Sequence, residues 1–107
     1  MRNILMAVVA LGAITGAAMA DTYGTVAVTT RGCLSRYVVD TPSGYVLAEW
    51  YGGHDPDRGD TVEGDLNSYG FKDVLINGSS SRAYIDDYML SRDSVIRKLR
   101  EHGCTVR

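Results

Sequence analysis

The 107-residue chain holds two cysteines, two prolines, one tryptophan and one phenylalanine. Each scarcity removes a class of protein. Two cysteines cannot build the disulfide-dense framework of a scaffold that lacks a core. With only two histidines, distant in sequence, they also make a poor zinc set. Two prolines exclude a proline-rich extended chain. Charge of either sign is also scarce: 11 basic against 13 acidic residues leave a formal net charge of −2. A nucleic-acid binder needs a basic stripe to displace counterions from phosphate, and an anionic lipid surface selects for the same feature. Neither nucleic acid nor a membrane surface is therefore expected as a partner. The length allows a single domain, and 45% apolar residues are too many for a chain that stays unfolded.

Only one long apolar run is present, and it stands at the start. Arg2 supplies a cationic opening, Ile4 to Ile14 an apolar stretch, and Ala18-Met19-Ala20 a small-x-small cleavage site before Asp21. The run is shorter than the roughly 20 residues of a membrane span. It is broken by Gly12, Thr15 and Gly16, and no cationic stop follows. Residues 1–20 read as a cleaved signal peptide of bacterial type, so the expected location is secreted or periplasmic, with no membrane attachment after cleavage. No cysteine lies at the cut to carry a lipid. Residues 21–107 then form one small domain. In an exported chain Cys33 and Cys104 read as one structural disulfide. Closing so long a loop constrains the unfolded chain by about 4 kcal/mol.

Short β-branched and aromatic runs, cut by turn residues every eight to twelve positions, dominate residues 21–90. Strands are expected at Thr25–Thr29, Tyr37–Asp40, Tyr45–Tyr51, Thr61–Leu66, Phe71–Asn77 and Arg82–Leu90. Thr41-Pro42-Ser43-Gly44 suits a tight turn, because proline fixes φ and glycine tolerates positive φ. Asn77-Gly78-Ser79-Ser80 is the strongest turn signal. The period then changes. Ser91-Arg92-Asp93-Ser94 offers N-cap side chains, Val95, Ile96 and Leu99 recur at helical spacing, and Gly103 suits the position past the helix end. His102 in the last turn favours the helix dipole and reads as a capping group.

The expected fold is mainly β with one C-terminal helix: a small antiparallel five- or six-stranded barrel, capped by the helix plugging one opening. The stretch Gly59-Asp60-Thr61-Val62-Glu63-Gly64-Asp65-Leu66 resembles a strand of small five-stranded OB-like or SH3-like barrels, where a Gly-Asp turn leads to a strand bent at a second glycine. The resemblance covers eight residues, implies a fold, and carries no functional residues.

The most polar stretch runs from Gly52 to Asp60. His54 with Asp55, Asp57 and Asp60 has the chemistry of a cation site or an acid–base group, but it departs from a calcium loop. Asp60 falls where glycine is needed, and Leu66 stands where the bidentate glutamate should be. Arg58-Gly59-Asp60 also spells an adhesion tripeptide, although its aspartate is the natural opener of the next strand. No nucleophile–base–orienter set stands out. No catalytic residue, metal site or cofactor is assigned, and the chain is expected not to be an enzyme. Asp86-Asp87 breaks the alternation of the last strand, so one aspartate faces the apolar side unless a bulge or an arginine partner answers it. Trp50, Tyr51 and Tyr69 read either as core aromatics, the commoner case in so small a chain, or as an exposed binding face beside the polar loop.

The expected function is that of an exported, monomeric, non-catalytic barrel that binds a protein or small-molecule ligand. Its candidate ligand-binding residues are Trp50, Tyr51, His54, Asp55, Asp57, Arg58 and Tyr69. Two alternatives stand beside it: a small secreted hydrolase or metal-dependent enzyme built on the His54–Asp60 loop, and a structural or assembly protein of the envelope. Mass spectrometry of protein from an exporting host checks the first steps of this reading. The chain should begin at Asp21 and gain about 2 Da on reduction, and reduction should cost about 4 kcal/mol of stability.

Overall fold

The computed structural model describes residues 21–29 and 35–104. The expected leader at 1–20, Cys33, and Arg31-Gly32 just past the expected first strand lie outside the described residues. Six strands and one helix follow in order: β1 (Thr22–Val28), β2 (Arg36–Thr41), β3 (Gly44–Gly53), β4 (Thr61–Gly64), β5 (Gly70–Ile76), β6 (Ser79–Leu90) and α1 (Arg92–Glu101). The strands close in the order β1-β2-β3-β6-β5-β4, with β4 pairing back to β1, and every neighbouring pair is antiparallel. Two three-stranded meanders, β1-β2-β3 and β4-β5-β6, thus lie side by side and share both seams.

Closure follows from alternation. Val26, Tyr37, Val39, Val46, Ala48, Val62, Val74, Ile76, Ala83 and Ile85 come from all six strands and fill the interior, together with Leu66 from the loop after β4. A closed sheet leaves no long unpaired edge, which suits a chain with few prolines to blunt one. Burial pushes the Tyr37 hydroxyl well above its ordinary titration range.

β2 and β3 are apolar on both faces. Val38 and Leu47 stand opposite each other on the outer wall, and both are buried in a second cluster with Val95, Leu99 and Cys104. A bulge between Val26 and Val28 lets both Ala27 and Val28 reach this cluster. The helix therefore covers the barrel on its outer wall, not in a mouth as expected. It lacks the apolar surface to be stable alone and gains it from this contact. Its ends form as the sequence specifies: Ser91 accepts a hydrogen bond from the Ser94 amide at 3.1 Å, and Gly103 has φ 82°.

Element bounds differ from expectation where turn chemistry is tighter than the residue cluster suggests. Asn77 and Gly78 both have positive φ, at 50° and 82°, the pattern of a two-residue type I′ hairpin. Ser79 and Ser80 consequently pair with Ile76 and Leu75 and belong to β6, not to the turn. In β6 the expected conflict at Asp86-Asp87 is resolved both ways. The register slips between Leu47 and Ala48, so that Leu47 faces Asp87 while Ala48 faces Ile85. Asp86 is the extra residue and holds the Arg36 Nε at 3.2 Å. Beyond the bulge Met89 takes φ 56° and turns out to solvent, 62% exposed, whereas unbroken alternation would put it on the face of Ala83 and Ile85.

Close approach of β1 to β2 depends on Gly24. A Cβ there would lie 2.5 Å from Val39 Cγ1 and 2.7 Å from the Asp40 carbonyl oxygen. Gly24→Ala should lower the unfolding free energy by about 1–3 kcal/mol, as overpacking does, measurable by urea denaturation.

Candidate functional site

The hairpin turn at 42–43, the 65–69 loop and the start of α1 stand at one end of the barrel, here the upper end. The 54–60 loop and the Asn77-Gly78 turn stand at the lower end. The candidate residues divide between them. His54, Asp55, Asp57 and Arg58 are at the lower end, and Tyr69 is at the upper end, so the structure does not gather them into one concavity. Trp50 packs against the barrel interior. Its indole Nε1 is buried and has no hydrogen-bond partner among the described residues. The ring is therefore only partly exposed, with its polar edge turned inward.

The 54–60 loop is organised around one carboxylate. Asp60 accepts from the Asp57 amide at 2.8 Å and from Asn77 Nδ2 at 2.8 Å, and His54 Nε2 lies 3.8 Å from its Oδ2. The Asp60 amide donates to the Asp57 carbonyl at 3.0 Å, and the Val26 amide donates to the Asp60 carbonyl at 2.8 Å. Pro56 is buried beneath the turn. Asn77 completes the junction by accepting from the Thr61 amide at 2.9 Å and its hydroxyl at 3.1 Å. Asp60 thus fastens the loop to β1 and to the β5–β6 turn. Its side chain is only 15% exposed, which leaves the Arg58-Gly59-Asp60 carboxylate turned inward rather than presented for adhesion. Among the described residues no group of three or more His, Cys, Asp or Glu side chains is placed to hold a metal ion.

Tyr69 belongs to a second network, at the upper end. Its ring lies 4.9 Å from that of Tyr88, and its hydroxyl donates to Asp87 Oδ1 at 3.3 Å. Asp87 also meets Lys98 Nζ at 3.2 Å, which ties the helix to the bulge in β6. The Asp87 charge raises the Tyr69 hydroxyl above its ordinary titration range. Nearby, Lys72 Nζ bonds Asp65 Oδ2 at 3.0 Å and Ser68 Oγ at 2.6 Å. The hydrogen bond from Lys72, with help from Ser68, holds the Asp65 carboxyl below the usual carboxylate range.

A third cluster lies on the outer wall of β3, β6 and β5. Tyr51, 51% exposed, meets Phe71 edge to face at 5.0 Å and 79°. Phe71, equally exposed, meets Tyr84 at 4.9 Å and 79°. Arg82 lies 5.1 Å from the Phe71 centroid, a cation–π distance, and holds Asp73 at 3.2 Å. Beside the rings the register slips between Trp50 and Gly53. Gly52 and Gly53 leave a notch of about 310 Å³ bordered by Tyr51, Asp73, Ser80 and Arg82. Ser81 pins the slipped backbone, donating to the Gly52 and His54 carbonyls at 3.2 and 2.9 Å. A Cβ on Gly52 would meet nothing within 4 Å, so the notch opens to solvent. Of this cluster only Tyr51 was among the expected site residues. Phe71, Arg82 and Tyr84 were missed, although Phe71, Asp73 and Leu75 alternate on one face of β5 in the way exposed strand residues do.

No protein family matches the chain, and neither a curated protein nor a solved structure is similar to it.

Two measurements check the electrostatic assignments. Asp60→Ala should lower stability by about 1 kcal/mol, because the Asp57 amide and Asn77 Nδ2 lose the acceptor that joins the loop to the β5–β6 turn, while His54→Ala should change it by less than about 0.5 kcal/mol. The Asp65–Lys72 pair lowers a carboxyl pKa in the folded state. Its stabilisation is complete above the ordinary value of 3.8 and is lost as the pH falls through the lowered one. Lys72→Met should therefore lose less stability on acidification than the parent, read from urea midpoints across that range.

Proposed function

We propose that this chain is an exported, monomeric, non-catalytic barrel that recognises a protein partner through the Tyr51–Phe71–Tyr84 face. The observation that carries the reading is that cluster itself. Two large aromatic side chains stand half exposed on the outer wall, with Leu75 exposed on the same face of β5 as Phe71, beside an arginine and a side-chain-free notch. Tyr and Arg are enriched at the residues that dominate binding energy, and an exposed apolar patch with polar surroundings is the usual mark of an interface. The ring arrangement favours a protein over a flat ligand. Successive planes are near perpendicular, and Arg82 lies against Phe71, so no broad coplanar platform is offered for stacking. The notch accepts a side chain, while Arg82 and Asp73 offer one charge of each sign at its rim.

Export is supported by the leader pattern of residues 1–20, which ends at Ala18-Met19-Ala20. A Cys33–Cys104 disulfide is supported by cysteine number and by the helix end. Cys104 is buried against the second cluster, and no described cysteine is free. Such a bond would hold the end of α1 near the lead into β2.

The test is affinity capture from the envelope and medium fractions of the producing cell, in parallel for the parent, Tyr51→Ala and Phe71→Ala. A specific partner should bind the parent and lose at least about tenfold in affinity with either variant, with circular dichroism unchanged. Equal binding by all three proteins would refute this face as the site.

A further inference from the structure

α1 does not close completely on the outer wall. Val95 and Leu99 are buried, but Ile96, Ala27, Val28 and Tyr45 are only partly so. Between them runs a crevice of about 160 Å³, walled by Val28, Val38, Tyr45, Val95 and Ile96, with Arg92 at its margin. The crevice opens to solvent on one side, but the side chains along it are mostly aliphatic and its volume suits the tail of a small amphipathic molecule. The crevice lies on a different face from the aromatic cluster, so it is a second site.

Arg92 gives the crevice a sign. Arg92, like Arg58, Arg97 and Arg100, has no carboxylate partner among the described residues, and of these four it alone borders the crevice. It is also the first residue of α1, where the helix dipole is positive and a cation is unfavourable. Asp93 answers the dipole from the next position but faces another side of the helix, because adjacent residues do not meet. An apolar slot with an unpaired cation at its rim complements a small amphipathic anion.

We infer that the crevice between α1 and the β1–β2–β3 wall binds a short-chain fatty acid of about six carbons, its tail along Val28, Val38 and Val95 and its carboxylate on the Arg92 guanidinium. A chain of this length matches the volume. The cation selects carboxylate over alcohol, and alcohol over amine. Each methylene removed should weaken binding about fourfold, the transfer value for one buried methylene.

The probes are hexanoate, hexanol, hexylamine and butanoate, titrated into the isotope-labelled protein with methyl chemical shifts as the readout. Hexanoate should move the Val28, Val38, Val95 and Leu99 methyls and bind more tightly than hexanol. Hexylamine should bind least well, and butanoate should be more than about tenfold weaker than hexanoate. Arg92→Gln is an exposed substitution that leaves the fold intact, and it should bring hexanoate to the level of hexanol without altering hexanol. Ala27→Leu should fill the slot and abolish the shifts. Absence of methyl shifts with hexanoate, equal binding of hexanoate and hexylamine, or an unchanged hexanoate affinity in Arg92→Gln would each overturn the assignment.

Discussion

Val38 and Leu47 are cross-strand neighbours on the outside of a barrel, yet neither reaches water. That constraint organises much of what surrounds them. A barrel strand normally buries one face and wets the other, but β2 and β3 carry apolar residues on both. Their inward residues close the barrel, and their outward pair must be covered by something else. The amphipathic stripe of α1 covers it, and the bulge in β1 adds Val28 to the same cluster. Lys98 meets Asp87 across the helix border, a partly exposed pair that fixes direction more than it adds stability.

The same constraint separates structure from recognition on the surface. The chain provides a helix for the outward pair at Val38 and Leu47. Among the described residues it provides nothing comparable for Tyr51 and Phe71, whose rings stay half exposed. Both patches are apolar, and both lie on the outer wall. In one the helix buries the central pair, and the other is left with an arginine, an aspartate and a glycine notch around it. The lower loop is the reverse case. Its chemistry looks richer in sequence, but Asp60 is turned inward to fasten three segments together.

The strands were legible because turn residues interrupt β-branched runs, and the helix because its cap, stripe and terminal glycine agree with one another. The side on which the helix would lie was half legible. The expected strand Tyr45–Tyr51 carries apolar residues on both faces, but composition could not say whether its outer face would be covered or which neighbours would share it. The Asp86-Asp87 conflict announced a bulge without its position, which depends on the register with Leu47 and Ala48. Of the aromatic cluster only Tyr51 was legible. Tyr51, Phe71 and Tyr84 come from three strands, and only the strand order β3-β6-β5 and the pairing of Phe71 with Tyr84 bring their rings together. Asp60 misled for the opposite reason, since an acidic loop and a carboxylate-stapled turn have the same composition.

The most direct test of the two-core arrangement is a set of nuclear Overhauser measurements between assigned methyl groups. Cross-peaks from Val95 and Leu99 to Val38 and Leu47 are required if the helix lies on the outer wall. Their absence, with Val38 and Leu47 methyls accessible to a soluble paramagnetic probe, would contradict the account.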